Sequence, residues 1–426
     1  TEEVINYDLI QEQIKIADDE LAKYKNPNTP PSANKHLKPD TSGRQANENS
    51  KRGAPIGHEG TTRPVPEPNT VVDVEPMKKC ANCNALLGEP VGFLERILTD
   101  LPMIADLIVT LFRLPVHVCK KCGAKNIASH PDLPAKGQFG YNTLALVAML
   151  KHKARLPYEL VTDVLENIFK LKITPATALE LDTKAATRLS GEYEKLKGNA
   201  KNSNHLNIDE TSANLNGERY NTWVFTNEDV TLLATRKSRG KKVLEEILGK
   251  KYAGIIGCDG HKAYSNYSSN LQRCWAHILR EAEHLAEKPP QAKALHAELK
   301  KIYAWAEERY RKRLSKKQRY AMWVQARHKL RKTLARFAKI KPLQKFLEKI
   351  RNGFNHWFTF ILHPEIEPTN NRAERGIRET VVQRKIYGCL RNQKGMSNHD
   401  ILTSLIATWQ QRGLNPYTQI LTSLRG

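Results

Sequence analysis

NHLNIDET (204–211), ERYNTWVFTN (218–227), VTLLATRKS (230–238), GKKVLEEILG (240–249) and YAGIIGCDG (252–260) decide the fold of this chain. The first three and the last are short runs rich in apolar and β-branched residues with turn residues between them, which predicts strands. GKKVLEEILG repeats its apolar residues at helical spacing. The order is three strands, a helix and a fourth strand, and two of those strands end on an acid, Asp209 and Asp259.

That order is the front half of a ribonuclease H-like α/β core, which the segment 201–279 is expected to form. In this topology the first strand lies mid-sheet and pairs with the fourth, so Asp209 and Asp259 come side by side although 50 residues separate them. Each has an ordinary alternative, since an acid can end a strand in a turn and Asp-Gly is a common turn pair. Both landing at the matching strand ends favours chemistry. Two such carboxylates and a third can hold a pair of divalent cations for phosphodiester chemistry.

Glu374 in PTNNRAERGIRE (368–379) is the third candidate. Asn370 or Asn371 is a natural helix N-cap with Glu374 three residues beyond Asn371, so a capping box explains the pair equally well. The sequel favours function: Arg372, Arg375, Arg378, Arg384 and Lys385 crowd the same helix and its exit, a density of cations suited to phosphates. Glu365, Glu367 and Glu379 are rival acids. This last part of the core spans 361–426.

Between the second and third acids lies a helical insertion, 280–360. Its residues 280–351 hold 22 Lys and Arg against 7 Asp and Glu, with Trp305, Tyr310, Tyr320 and Trp323 interleaved. A solvated face is the default for a charge run, but an excess of one sign predicts a DNA-contact surface. In RCWAHILREAEH (273–284), Cys274 and His277 stand three apart without a second ligand pair, so His277 is expected to pack or to contact phosphate near the acids.

Upstream, Cys80/Cys83 and Cys119/Cys122 form two CxxC knuckles, which predict one structural Zn²⁺ in a zinc ribbon with β-hairpins over 71–135. YNTLALVAMLKHKA (141–154) and LPYELVTDVLENIF (156–169) make 136–200 helical, either a helix-turn-helix or a connector packed on the core. Residues 1–25 have apolar positions at helical spacing. Residues 26–70 are rich in Pro, Gly, Asn and cations, and predict an extended arm whose Lys51 and Arg52 suit a DNA backbone.

The whole chain carries 68 Lys and Arg against 45 Asp and Glu, a formal charge of +23 that points to a polyanionic partner. Its most apolar stretch, ILTDLPMIADLIVTLFRL (97–114), is broken by Asp100, Asp106 and Arg113, so no membrane span is expected. No cleavable signal pattern opens the sequence, which leads to the expectation of a cytoplasmic protein.

Several stretches together resemble the insertion-sequence-66 transposase family. NPNTPPSANK (26–35) and RGAPIGHEG (52–60) resemble its N-terminal segments and the knuckles its zinc-binding domain. IDET (208–211), CDGHKAY (258–264), RCWAH (273–277) and NNRAERGIR (370–378), in that order, resemble its catalytic motifs. The resemblance implies a DNA transposase with an aspartate-aspartate-glutamate triad at Asp209, Asp259 and Glu374, holding two Mg²⁺ or Mn²⁺. Such an enzyme cleaves transposon ends and transfers the freed 3′-hydroxyl into target DNA. Joining two ends of double-stranded DNA calls for at least a homodimer on that DNA. The departures, Ala-Pro-Ile-Gly in the arm and His261 after Asp-Gly, do not touch the carboxylates. A structure-specific nuclease on the same fold and a catalytically decayed zinc-ribbon DNA-binding protein are the competing readings.

Overall fold

The computed structural model describes residues 136–286 and 290–425, with short stretches between 67 and 134. The chain divides into two compact units, one of them Pro31–Asp106 and the other containing Leu107–Gly426. The expected N-terminal helix, the basic arm with Lys51 and Arg52, and Cys80 and Cys119 lie outside the described residues.

In the second unit, β1 (Val116–Val118) and β2 (Lys125–Ile127) form an antiparallel hairpin. Residues 107–115 are neither helix nor strand, so the strand content expected before the second knuckle is confined to β1 among the described residues. Helices follow: α1 (Tyr141–Ala148), a π-helical turn over Met149–Lys153, α2 (Tyr158–Phe169) and α3 (Pro175–Asn202). Thr174 caps α3 by accepting the Thr177 N–H at 3.2 Å, and Pro175 follows where its missing N–H costs nothing.

Next come β3 (His205–Leu215), β4 (Glu218–Thr226), β5 (Thr231–Arg236), α4 (Lys241–Leu248), β6 (Ile255–Cys258), α5 (Lys262–Tyr267) and β7 (Leu271–Arg273). The turn between β3 and β4 is Asn216-Gly217, both at positive φ (49° and 88°), the pairing that suits a tight hairpin. The sheet order is β5-β4-β3-β6-β7; β3 and β4 are antiparallel, as are β4 and β5, while β6 runs parallel to β3 and β7. β3 is therefore central and pairs with β6 in the register Asn207↔Gly257, an offset of 50 that carries Asp209 towards Asp259.

The helical insertion holds α6 (Trp275–Leu285), α7 (Pro290–Tyr310), α8 (Lys316–Arg336), α9 (Gln344–Asn352) and α10 (Thr359–Leu362). The chain closes with α11 (Asn371–Tyr387), α12 (Gln393–Gln411) and α13 (Pro416–Arg425).

Strand alternation sorts the sheet's two faces. Leu206, Ile208, Trp223, Phe225, Leu232 and Ala234 join the main core, with α1, α3, α4 and α12. Val224, from the opposite face, packs with Ala373 and Ile377 of α11. The 136–200 helices share this core with the strands. A second core belongs to the insertion and includes Leu299, Ala326, Leu330, Leu347 and Phe360. Tyr310, expected among the DNA-facing aromatics, lies inside it at 2 % exposure with its ring 5.0 Å from that of Phe360. Its position on the apolar stripe of α7, with Leu299, Ile302 and Ala306, takes it inward.

β5 is an edge strand, and α12 covers it. The N–H groups of Thr231, Leu233 and Thr235 donate to Thr408 Oγ1 (3.0 Å), Ser404 Oγ (2.8 Å) and Asp400 Oδ2 (2.7 Å). Two residues of strand and four of helix advance by about the same length, so one helix face satisfies alternate groups of the edge.

Candidate active site

Asp209 lies on β3 where the strand passes under α11, Asp259 directly follows β6, and Glu374 sits in the first turn of α11. Burial pushes the Asp209 carboxyl well above its ordinary range, and the charges of Glu210, Asp259 and Glu374 add to the shift, so the three predicted acids share one electrostatic neighbourhood. The Glu210 N–H donates to Asp209 Oδ1 at 2.9 Å, and the His261 N–H donates to Asp259 Oδ1 at 2.8 Å. Both carboxylates are thereby held by the backbone.

The capping box that offered an ordinary alternative for Glu374 does not form at α11. Asn370 is the N-cap, but its side chain makes no cap bond. Its amide instead donates to the Ile208 carbonyl at 2.9 Å, and its side-chain oxygen accepts from Asn207 at 3.0 Å. The residue is fully buried. Asn370 is thus a clasp between α11 and β3, one residue short of Asp209, and it fixes where Glu374 enters. Gly376 permits the approach, since a Cβ there would meet Val224 Cγ2 at 3.0 Å.

Glu374 Oε1 lies 3.8 Å from His277 Nδ1, and both atoms are buried without a hydrogen-bond partner. Burial lowers the His277 pKa, against the pull of Glu374 and Asp259. Cys274, His277 and Glu374 place one ligand atom each within 4.8 Å of one another, so the partner that spacing did not reveal for Cys274 and His277 comes from α11. Burial pushes the Cys274 thiol up to about 11.

The rival acids are taken up elsewhere: Glu365 faces His363 (3.4 Å), Glu367 pairs with Arg372 (2.9 Å) and Glu379 with Arg155 (2.7 Å). Of the predicted cations, Arg372 is spent on Glu367 and the Asn227 carbonyl, and Arg384 on the carbonyl and hydroxyl of Ser212. Arg375, Arg378 and Lys385 are exposed.

The sequence missed three residues here. Glu210 points to the opposite face of β3 from Asp209, as alternation requires, and meets Tyr264 Oη and Arg239 Nε (2.9 Å). Burial, with Asp259 second, raises its pKa to about 7. Arg273 and Lys349 line a cleft of about 110 Å³ with Asp259, Cys274 and His277. Arg273 Nη1 donates to the Asp259 carbonyl at 2.9 Å while its buried Nε has no partner. Only the position of Arg273, opening RCWAH beside Cys274, signalled it; Lys349 was one cation in a long basic run.

A family model, Transposase IS66 family, matches residues 136–398 and so spans the sheet, the insertion and all three acids. The chain belongs to the IS66 transposase family. No curated protein matches it. The match starts before α1 and ends within α12, so α1 and α3 fall inside the family's region while Leu402, Leu405, Ile406 and Trp409 of α12 and Ile420 and Leu424 of α13, which also enter the main core, lie beyond it. Of the knuckle cysteines, Cys83 and Cys122 are exposed, and Cys122 sits in the turn of the β1–β2 hairpin. Among the described residues no helix is long and apolar enough to cross a membrane.

Proposed function

We propose that this IS66-family chain is a DNA transposase with a ribonuclease H-like core, which cleaves transposon ends and transfers the 3′-hydroxyl strand into target DNA. Asp209, Asp259 and Glu374 are its cation-holding carboxylates. The observation that carries the reading is the convergence of these acids from β3, the end of β6 and α11, with Asp209 raised in pKa first by burial and then by the charges of Glu210, Asp259 and Glu374. The strand order β5-β4-β3-β6-β7, with β3 parallel to β6, supports the fold assignment.

The donor set fits Mg²⁺ or Mn²⁺. Oxygen ligands suit hard cations, Glu374 Oε1 is a buried acceptor without a donor, and repulsion among the acids is relieved by positive charge. When bound, two such ions supply Lewis-acid polarisation and a deprotonated attacking oxygen. The protein's own groups do the positioning. Asn370 holds α11 to β3, and the 259–261 turn orients Asp259 through the His261 N–H. Arg273, beside Asp259, offers a cation to a phosphate entering the cleft, while Lys349 on the cleft wall is paired with Glu281. No side-chain nucleophile is required, because water and then a DNA hydroxyl attack phosphorus. Double-stranded DNA is the substrate, bound by two copies of the chain, and the CxxC knuckles would supply thiolates to structural Zn²⁺.

Asp209→Asn and Glu374→Gln are expected to lower cleavage of transposon-end DNA by about a thousandfold or more, since each removes a ligand to ions that supply several kcal/mol. Binding of the same DNA is expected to persist. Metal-dependent cleavage surviving in either purified variant removes that residue from the triad. Cleavage without strand transfer in the unmodified protein favours the nuclease reading.

A further inference from the structure

Helix α8 holds eight Lys and Arg and no acid over its 21 residues, and among the described residues no carboxylate pairs with any of them. A solvated helix ordinarily mixes both signs along its face. One face of α8 is accounted for: Met322, Ala326, Leu330 and Leu334 enter the insertion's core.

Beside that stripe, Tyr320, Trp323, Arg327 and Arg331 follow at helical spacing, and they form a column. The Tyr320 and Trp323 rings stack, with centroids 5.6 Å apart and planes at 29°. The Arg327 guanidinium lies 4.3 Å from the centroid of Trp323 and 5.0 Å from that of Phe354, and Arg331 lies 5.6 Å from Phe354. A bond of 2.9 Å from Arg327 to Asn355 Oδ1 holds the guanidinium in place. Trp323 and Arg327, within the column, are half-buried, and Arg331 at its far end is exposed. Tyr320 ends it at 60 % exposure, with Val324 one turn on at 45 %. Lys316 and Lys317, one turn before Tyr320, are exposed.

We propose that this column is a stacking platform for single-stranded DNA: an unpaired base extends the stack on Tyr320 while Lys316 and Lys317 take the flanking phosphates. The inference rests on the reading of the chain as a DNA-processing enzyme and adds a strand state to it. The charge selects a polyanion, and the open aromatic face selects a base whose own face is uncovered. Inside a duplex that face is already stacked, so the ligand is an unpaired stretch of strand. The rigid Trp323–Arg327–Phe354 backing means Tyr320 loses little freedom on binding.

The test uses the full chain with Tyr320→Ala and Tyr320→Phe, measuring anisotropy of labelled oligothymidylate and of a blunt duplex of equal length. Tyr320 is exposed, so neither change disturbs a core. Tyr320→Ala is expected to weaken oligothymidylate binding roughly tenfold, the loss of one base–aromatic stack, with duplex affinity changed less than about twofold. Tyr320→Phe is expected to retain wild-type affinity. Unchanged oligothymidylate binding in Tyr320→Ala, or an equal loss on both probes, overturns the platform and leaves the transposase reading standing. If the unmodified chain binds neither DNA, both fall.

Discussion

Two groups of buried ionisable side chains occupy this fold, one around Asp182 and one around Asp209, and they differ in how completely they are bonded. Asp182, fully buried on α3, accepts from His152 Nε2 at 3.0 Å, Tyr158 Oη at 2.9 Å and Asn398 Nδ2 at 3.1 Å. The knot ties the π turn, α2, α3 and α12 together, and Gln383 of α11 joins it by donating to the His152 carbonyl at 2.9 Å. Around Asp209 and Asp259, by contrast, the buried atoms His261 Nδ1, Arg273 Nε, His277 Nδ1 and Glu374 Oε1 have no partner. Among the described residues, His399 Nδ1 at the rim of the knot and Thr380 Oγ1, one turn from Gln383 on α11, are the other such atoms. A closed network stabilises the fold; an open one stores electrostatic strain that a charged ligand can relieve.

The largest effect expected from this contrast is at the knot. Asp182→Asn deprives three donors of their anion and is expected to destabilise the protein by about 3 kcal/mol in chemical denaturation. A loss near zero would erase the distinction between the two groups.

Stability against pH sharpens it further, because the regions slope in opposite directions. The pKa of Glu210 is raised, first by burial, from 4.5 to about 7 in the folded state. Its protonated form is the stabilised one, so its contribution is complete below pH 4.5 and is lost as pH rises to about 7. Lys151, buried beside the knot with Tyr158 and Tyr387 rings at 4.4 and 3.8 Å, is lowered by burial from 10.5 to about 8. Here the folded state disfavours the proton, so stability rises between pH 8 and 10.5. Each slope amounts to about 3 kcal/mol across its window. Thermal melts in chelator should show both; Glu210→Gln should abolish the acidic-side slope and Lys151→Met the alkaline one.

The smallest effect separates the regions by sign alone. Asp209→Asn, measured without divalent cations, is expected to stabilise the protein by about 1 kcal/mol, because it removes one of several mutually repelling carboxylates. A destabilised variant would mean that Asp209 serves the fold as Asp182 does.

What the sequence revealed follows from the range of each interaction. The strands, the Asn216-Gly217 turn and the pairing of the 209 and 259 segments were legible because periodicity and turn chemistry are local, and the sheet's connectivity then fixes the neighbours. Glu374 was harder, since local spacing supported a capping box equally well. The deciding contact, Asn370 to Ile208, joins residues 162 apart. Glu210 was invisible for the same reason: its partners Arg239 and Tyr264 lie 29 and 54 residues away. Tyr310 and Tyr320 looked alike in a basic run, and only the packing of α7 and α8 sends one inward and leaves the other at the surface.

The insertion's separate core has an engineering consequence. Because α7 and α8 are consolidated around Leu299, Ala326 and Leu330 rather than around the strands, the spacing along the chain between Asp259 and Glu374 is decoupled from their spacing in three dimensions. An insertion in the link between the two long helices is therefore expected to spare the carboxylates, provided that it leaves Leu314 on the insertion's core and the Ser315 cap of α8 in place.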